Sequence, residues 1–219
     1  MTFSVKDYVD YCVSAAALIA ENKDYITELD AVTGDGDHWA NMNMGFQQIV
    51  DSRQELENIS YADLFKKIGM MMMKGIGGSS GVLYGSAYLS ASKIMEDVDN
   101  LDINRLSQVI TAMLEGICKR GNSGPGMKTM IDTLDAAASE LKAALTEGVD
   151  ERKALERMEQ GAKRGMESTA RMEAVRGRAC YQADKGVGHL DPGAVTMYYQ
   201  LKTLSDCMQK NAGTEKQME

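Results

Sequence analysis

The chain has 219 residues and carries 24 basic against 32 acidic side chains, which gives a formal net charge of −8 at neutral pH. Because contact with a nucleic-acid backbone normally requires a basic face, this charge argues against a nucleic-acid partner. With 44% hydrophobic and 26% charged residues the composition is that of a folded protein rather than a disordered chain, and few prolines and aromatic residues beside 17 methionines favour helices over a β-sheet.

Several residues mark the beginnings of helices. Ser4 with Asp7 predicts the N-cap of the first helix, and Ser60 predicts the N-cap of another. Asp191 followed by Pro192 predicts the N-cap and first residue of the last helix. Apolar residues recur at helical spacing over residues 5–19, 42–50, 64–72, 106–117, 130–145, 155–166 and 195–204.

Two helix ends are also predicted. Gly121 is expected to be the glycine just past the end of the helix that contains residues 106–117. The charged helix that starts near Leu155 is expected to continue towards Gly177. Because no segment alternates with period 2 and no repeat or linker interrupts the chain, we expect one all-α domain of about eight helices over residues 1–219.

The N-terminal region shows no targeting signal. Its most apolar stretch, residues 12–20, is shorter than the roughly 20 residues that span a bilayer, and no basic leader precedes it. The four cysteines are scattered without a CxxC pair, which is typical of reduced thiols. We therefore expect a cytoplasmic protein with no membrane partner.

Four loops contain more Gly, Asp, Ser or His than a simple connection requires. They are residues 33–38, 75–81, 121–126, and 176–178 continuing to 186–193. In an up-and-down bundle, alternate loops lie at the same end. Several of these loops are therefore expected to meet at one rim of the molecule.

The first loop contains a cluster of carboxylates. Asp30, Asp35 and Asp37 fall within eight positions, and like charges this close repel unless the loop is solvated or a cation lies between them. Gly34 and Gly36 allow the backbone to turn tightly around the middle carboxylate. Hard oxygen ligands with no cysteine nearby suit Mg²⁺ rather than zinc. The loop pattern does not match an EF-hand, so a magnesium site and a solvated capping loop both remain open.

The next two loops are ambiguous when each is taken alone. Residues 75–81 could present N–H groups to a phosphate, aided by a helix that begins after Ser80, or could form a tight turn between helices. Gly121 and Gly126 have the spacing of a Walker A motif, but Met127 shifts Lys128–Thr129 out of register. Neither loop identifies a function alone.

Three further polar residues lie in the loops. His38 and His189 are the only histidines, and a loop position favours a functional role over a place in the core. Arg178 could supply a cation to a phosphate, or could lie at a solvated helix end.

Together, these loops resemble one family, the nucleotide-binding L subunit of dihydroxyacetone kinase, which is also found as the C-terminal domain of one-chain kinases. The resemblance covers nearly the whole chain, and several motifs in the same order are far more specific than any one loop. The segments that carry it are Asp30, residues 34–38, 41–46 and 77–81 with Gly85, residues 120–121, 128–130 and 177–179 with Tyr181, and residues 188–194.

The resemblance implies a fold and a ligand set. The implied fold is a barrel of about eight antiparallel amphipathic helices with the nucleotide and metal site at one rim. Asp30, Asp35 and Asp37 are implied to hold two Mg²⁺ ions on the phosphates of ADP or ATP, and Arg178 is implied to be catalytic. The residues implied to surround the nucleotide are His38, Trp39, Ala40, Asn41, Gly78, Ser79, Ser80, Gly121, Met130, Arg178, Asp191, Pro192 and Gly193.

The resemblance also implies a reaction and its partners. The phosphoryl group passes from the nucleotide to dihydroxyacetone, or a similar ketose, held on a separate K subunit. Two modes are open: bound ADP is recharged from phosphoenolpyruvate through a phosphohistidine on an M subunit, or ATP exchanges freely, as in an erythrulose-type kinase. A nucleotide-loaded module that signals to a transcription regulator and a plain helical scaffold are the alternatives from other classes.

Two positions depart from the family pattern. Trp39 stands where the family usually has glycine, and Met127 where an acidic residue is common. Neither change removes an implied ligand, so they leave the identity of the ketose more open than nucleotide binding.

Overall fold

The computed structural model describes residues 2–218, and helices account for most of them. In this part of the chain the α-helices are α1 (Val5–Glu21), α2 (Lys23–Thr33), α3 (His38–Asp51), α4 (Arg53–Leu56), α5 (Tyr61–Gly75), α6 (Gly78–Ser92), α7 (Ile103–Gly121), α8 (Met130–Thr146), α9 (Glu151–Ser168) and α10 (Pro192–Met218). Two short 3-10 helices, Thr169–Arg171 and Arg178–Tyr181, lie between α9 and α10. The predicted all-α fold is confirmed, with two more α-helices among the described residues than the eight expected.

The long helices pack in a series that closes on itself. In order, α1 packs on α3, α3 on α5, α5 on α6, α6 on α7, α7 on α8, α8 on α9, α9 on α10, and α10 on α1. The shorter α2 and α4 lie against members of this series. Within the described residues, no helix combines the length and apolarity needed to cross a bilayer.

The core between these helices is apolar and contains an aromatic cluster. Tyr8, Tyr61, Phe65 and Tyr88 are buried, and their ring centroids lie 4.9 to 6.1 Å apart in neighbouring pairs. Edge-to-face and tilted pairs of this kind add to the stabilisation that burial alone provides. This packing fixes α1, α5 and α6 relative to one another.

The predicted helix starts are confirmed. Ser4 forms a capping box with Asp7, whose carboxylate accepts the Ser4 N–H at 2.8 Å. The Ser60 side-chain oxygen accepts the N–H of Asp63 at 3.2 Å and so caps α5. The Asp191 carboxylate accepts the Ala194 N–H at 2.7 Å and so caps α10.

Two predicted helix ends are wrong. The helix α9 ends at Ser168 instead of continuing towards Gly177, because the Ser168 and Thr169 hydroxyls donate to carbonyl oxygens three residues earlier and the chain tightens into a 3-10 turn. Gly121 is the last residue of α7, and Asn122 adopts the left-handed conformation just past it, with φ 45° and ψ 51°. Asparagine tolerates that conformation better than most residues.

One predicted helix start also requires correction. The helix α6 begins at Gly78, so Ser79 and Ser80 belong to its first turn rather than to the loop before it. This change matters for the site, because the first turn of a helix carries N–H groups without partners inside the helix.

Candidate functional site

A cavity of about 590 Å³ lies where the N-termini of α3, α6, α8 and α10 meet. Its size is within the range of pockets that bind small molecules and cofactors. Residues from all four loops that the sequence singles out contribute to its wall. The loops that are far apart in the sequence are therefore brought to one place by the fold.

The four helix N-termini each add partial positive charge to the cavity wall, and the one at α6 lacks a side-chain cap. The first turn of a helix exposes N–H groups, and the helix dipole adds partial positive charge there. In α6 the N-cap is Gly77, which offers no side-chain cap, so the N–H groups of Gly78, Ser79 and Ser80 are not satisfied by a capping side chain. Such an arrangement suits an anionic ligand.

The three carboxylates of the first loop lie together on one side of the cavity. Asp30, Asp35 and Asp37 each offer an oxygen, and the three oxygens lie within 4.8 Å of one another. Asp30 is buried at the end of α2 and accepts the N–H of His38 at 2.9 Å, whereas the other two are exposed. Because carboxylate oxygens at this spacing can coordinate one hard cation, these residues fit Mg²⁺.

Arg178 lies directly beside one of these carboxylates. It lies in the 3-10 helix between α9 and α10, and its guanidinium forms an ion pair with Asp35 at 2.6 Å. Both side chains are largely exposed, so the pair itself contributes little to stability. The arrangement instead places a fixed cation next to a cluster of anions at the mouth of the cavity.

His38 links α3 to α10 beneath the carboxylates. Its Nε2 atom lies 3.0 Å from the Thr196 hydroxyl, which donates its own proton to the Gly193 carbonyl at 3.2 Å. The hydrogen bond between the imidazole and the Thr196 hydroxyl therefore joins the start of α3 to the first turns of α10. Burial lowers the pKa of His38, although the carboxylates of Asp30 and Asp37 oppose this effect.

Most of the residues implied to bind nucleotide or metal line this cavity. Those in its wall are Asp30, Asp35, Asp37, His38, Asn41, Gly78, Ser79, Ser80, Gly121, Met130, Arg178, Asp191, Pro192 and Gly193. Trp39 and Ala40 are not in the wall. The Trp39 indole N–H donates to the Ile19 carbonyl at 3.1 Å, and the Lys23 ammonium lies 4.8 Å from its ring centroid. The departure at Trp39 therefore changes the contact between α3 and α1.

The predicted site residues leave out several residues of the wall, although segments singled out in the sequence contain them, and one histidine with a predicted functional role lies outside the wall. Lys128, Thr33, Arg120 and Arg176 line the cavity, whereas the exposed side chain of His189 does not. Lys128 is buried and donates to two main-chain carbonyl oxygens. In the sequence, Lys128 stands out only within the segment 128–130 and in the near match to a Walker A motif, and no apolar periodicity marks it as buried.

Asp191 has a perturbed carboxyl group. The residue is half-buried, but its carboxyl is enclosed, and burial raises its pKa from 3.8 to about 7 despite the Ala194 N–H bond and the nearby Lys128. The carboxylates of Asp132 and Asp30 act in the same direction as burial. The folded protein therefore retains a proton at Asp191 that the unfolded chain has already lost.

This proton makes stability depend on pH in a predictable direction. Between about pH 4 and pH 7 the folded state binds more protons than the unfolded state at this site, so its contribution to the free energy of unfolding decreases as the pH rises. Asp191→Asn keeps an oxygen to cap α10 but cannot ionise. As the pH rises from 5 to 8, we expect the free energy of unfolding of the variant to increase by about 2 kcal/mol relative to that of the wild type. Urea unfolding in EDTA, without nucleotide, measures this difference, and parallel pH profiles of the two proteins would contradict it.

The comparisons with known proteins agree on one family. A family model described as the DAK2 domain matches residues 32–206. The ADP-binding subunit DhaL of PEP-dependent dihydroxyacetone kinase 1 from Listeria innocua is 40% identical over 177 residues, which cover 80% of this chain and 83% of that protein. The corresponding DhaL subunit from Escherichia coli is 29% identical and covers 94% of this chain and 98% of its own length.

A solved structure shares the fold. The dihydroxyacetone kinase of C. freundii in complex with AMP-PNP and Mg²⁺ superposes with a TM-score of 0.69 at 24% identity over 90% of this chain. This chain spans only 33% of that longer kinase. The family match, the similarity to DhaL subunits over most of their length and the common fold lead to one conclusion. The chain belongs to the DAK2 domain family.

Proposed function

We propose that this chain is the nucleotide-binding subunit of a dihydroxyacetone kinase. It holds ADP or ATP with two Mg²⁺ ions and works as a phosphotransferase only together with a K subunit that carries dihydroxyacetone. The observation that carries the proposal is that three carboxylates, Arg178 and four helix N-termini converge on one cavity. The similar subunits are named as ADP-binding subunits of dihydroxyacetone kinases, and we take ADP and dihydroxyacetone as the ligand and the substrate from those names.

The roles of the residues follow from the charge of a nucleotide. A polyphosphate is strongly anionic, so a chain with a net charge of −8 needs metal cations to hold it. Asp30, Asp35 and Asp37 are the residues that would hold Mg²⁺, which supplies charge neutralisation on the phosphates when bound. The N–H groups at the start of α6 and the guanidinium of Arg178 would bind the phosphate oxygens. Met130 would provide an apolar wall for adenine.

Phosphoryl transfer needs positioning and charge stabilisation more than a protein nucleophile. This chain therefore contributes the nucleotide site, and the K subunit contributes the ketose. We favour the mode in which bound ADP is recharged by a phosphohistidine M subunit, because the similar DhaL subunits are named PEP-dependent. The proposal includes a cytoplasmic location and a single domain over residues 1–219, of which residues 1 and 219 lie outside the described part.

The proposal is tested by asking what the purified protein already holds. We expect denatured protein to release close to one equivalent of ADP, as measured by ion-exchange chromatography, because metal and cavity together retain it. Prior treatment with EDTA should remove the metal and with it most of the nucleotide. A protein incubated in buffer without EDTA is the control for simple washing out.

Two other results would change the conclusion. An empty protein that binds ATP and Mg²⁺ reversibly would replace the ADP-retaining mode by the ATP-exchanging mode. A protein that releases no nucleotide and binds neither ADP nor ATP with Mg²⁺ would overturn the proposed function, and the acidic loop would then be a solvated turn.

A further inference from the structure

The segment between α9 and α10, residues 169–191, carries Arg178 to the cavity, and we call it the arginine loop. Its two ends lie side by side. The N–H of Gly188 donates to the carbonyl of Ala170 at 2.8 Å, and the N–H of Asp191 donates to the Thr169 hydroxyl at 3.1 Å. The two ends of the loop, residues 169–170 and 188–191, therefore lie next to each other, and we call this paired region the neck.

Lys128 joins the two sides of this neck from outside the loop. It precedes the N-cap of α8 and is only 1% exposed, which is rare for lysine. Its ammonium donates to the carbonyl oxygen of Thr169 at 2.6 Å and also to that of His189. These carbonyls belong to opposite ends of the arginine loop, so one side chain holds both.

The methylene stem of Lys128 also supports the loop. A Cβ placed on Gly186 would lie 3.1 Å from Lys128 Cε and 3.3 Å from Ala179 Cβ, and Gly186 has a φ of +69°. A side chain at this position would therefore press on the lysine and strain the backbone. Gly186 therefore lies close both to the Lys128 stem and to Ala179, the neighbour of Arg178.

Keeping Lys128 in this place is energetically unfavourable in two ways. Its φ of +58° lies in the left-handed region, which disfavours a residue with a Cβ. Burial lowers the pKa of its ammonium, and the carboxylates of Asp191, Asp184 and Asp132 only oppose this. A strained backbone and a buried charge are kept only where the surrounding structure holds them in place, and they are common at functional sites. The conformation of Lys128 therefore indicates a functional constraint.

The other anchors of the loop are more exposed. Arg176 donates to the Asn122 carbonyl at 2.9 Å, and Gln182 donates to the Val32 carbonyl at 2.8 Å, each through an exposed hydrogen bond. The N–H of Val175, an exposed residue, donates to the Met127 carbonyl at 3.3 Å. Bonds of this kind exchange with water at little cost. The neck with Lys128 is thus the buried attachment of the loop.

We infer that Lys128 is a positioning residue that holds the two ends of the arginine loop together and so keeps Arg178 beside Asp35. In this way it slows the release of a magnesium-bound nucleoside diphosphate. This inference rests on the proposed function for its nucleotide part, whereas the clamp itself is a property of the chain alone. It gives a role to a residue that does not need to touch the reacting atoms.

The test compares Lys128→Met with Lys185→Met. Lys185 lies in the arginine loop, also has a positive φ of 49°, and forms an exposed ion pair with Glu173, so it matches Lys128 in charge and backbone conformation. We expect magnesium ADP, followed with a fluorescent ADP, to dissociate up to about 10-fold faster, and at least about 5-fold faster, from Lys128→Met. Lys185→Met should differ from the wild type by less than about 2-fold. Equal rates for the two variants would overturn the inference.

A double-mutant cycle with Arg178→Ala separates positioning from general destabilisation. If Lys128 acts through Arg178, Lys128→Met should accelerate release by less than about 2-fold once Arg178 is absent. If the two effects multiply, Lys128 does not act through Arg178 and the inference is wrong.

Lys128→Gly provides a second variant that removes the ammonium while relieving the backbone conformation at φ +58°, so its fold should survive.

Hydrogen exchange tests the clamp without any nucleotide. In Lys128→Gly, the amides of Gly188 and Ala174, which are bonded within the arginine loop, should exchange at least about 10-fold faster, while amides in α5 stay unchanged. Unchanged protection in the loop would overturn the clamp. If the wild type fails to bind magnesium ADP, the proposed function fails, but this exchange measurement still decides whether Lys128 holds the loop.

Discussion

Asp37→Asn is expected to lower the affinity for magnesium ADP by at least about 100-fold without lowering the stability of the nucleotide-free protein. Asp37 is exposed, and although it precedes α3 it makes no side-chain capping bond. Its replacement therefore removes one ligand charge and no structural contact. Loss of a group that merely supports a metal ligand already costs 10–100-fold, so loss of a ligand itself should cost more.

The other two carboxylates are less suitable for this test. Asp30 accepts the N–H of His38 at the start of α3, and Asp35 is paired with Arg178, so changing either alters more than a metal ligand. Glu28→Gln is the matched control, because Glu28 is exposed on α2, outside the cavity wall, and the change alters the net charge equally.

Isothermal titration with ADP in the presence of Mg²⁺, and again in EDTA, measures both affinities. We expect the difference between wild type and Asp37→Asn to vanish in EDTA, because only the metal connects this carboxylate to the phosphates. An affinity within about 3-fold of the wild type in Mg²⁺ would show that Asp37 is not a metal ligand.

The fold was predictable where local patterns decide the structure. The apolar stripe at residues 64–72 and the caps at Ser4 and Asp191 are local features, and the structure follows them. The helix α6 has no such stripe, because small residues lie on all its sides. It packs on α5 where a Cβ on Gly85 would lie 2.8 Å from the Gly69 carbonyl oxygen, a contact between helices that no periodicity reveals.

The candidate site was predictable from the unusual composition of its loops and from their order along the chain. The buried position of Lys128 was not predictable, because its ammonium donates to the main-chain carbonyls of Thr169 and His189, which are 41 and 61 residues away. A carbonyl has no sequence signature, so contacts of this kind are invisible before the fold is known. The orientation of the Trp39 side chain was also not predictable, because it depends on the packing of α1 beside α3.

Arg178→Ala is expected to reduce the rate of phosphoryl transfer to dihydroxyacetone by about 1,000-fold when the chain is combined with a K subunit. The guanidinium lies 2.6 Å from Asp35 and borders the cavity, so it can stabilise the negative charge that spreads over the phosphate oxygens in the transition state. An arginine in that role contributes 10³–10⁵ to the rate of related phosphoryl transfers. Binding of magnesium ADP should weaken far less, by about 10-fold, because the metal carries most of that attraction.

The matched control is Arg171→Ala, since Arg171 lies in the arginine loop and is exposed, but is not part of the cavity wall. Arg178→Lys keeps a positive charge without the planar fork and should recover only part of the rate. Single-turnover transfer, measured next to equilibrium binding, separates the two effects. If Arg178→Ala lowers binding and transfer by the same factor, Arg178 holds the nucleotide without favouring the transition state. If transfer is unchanged, the cation at the mouth of the cavity serves the loop rather than the reaction.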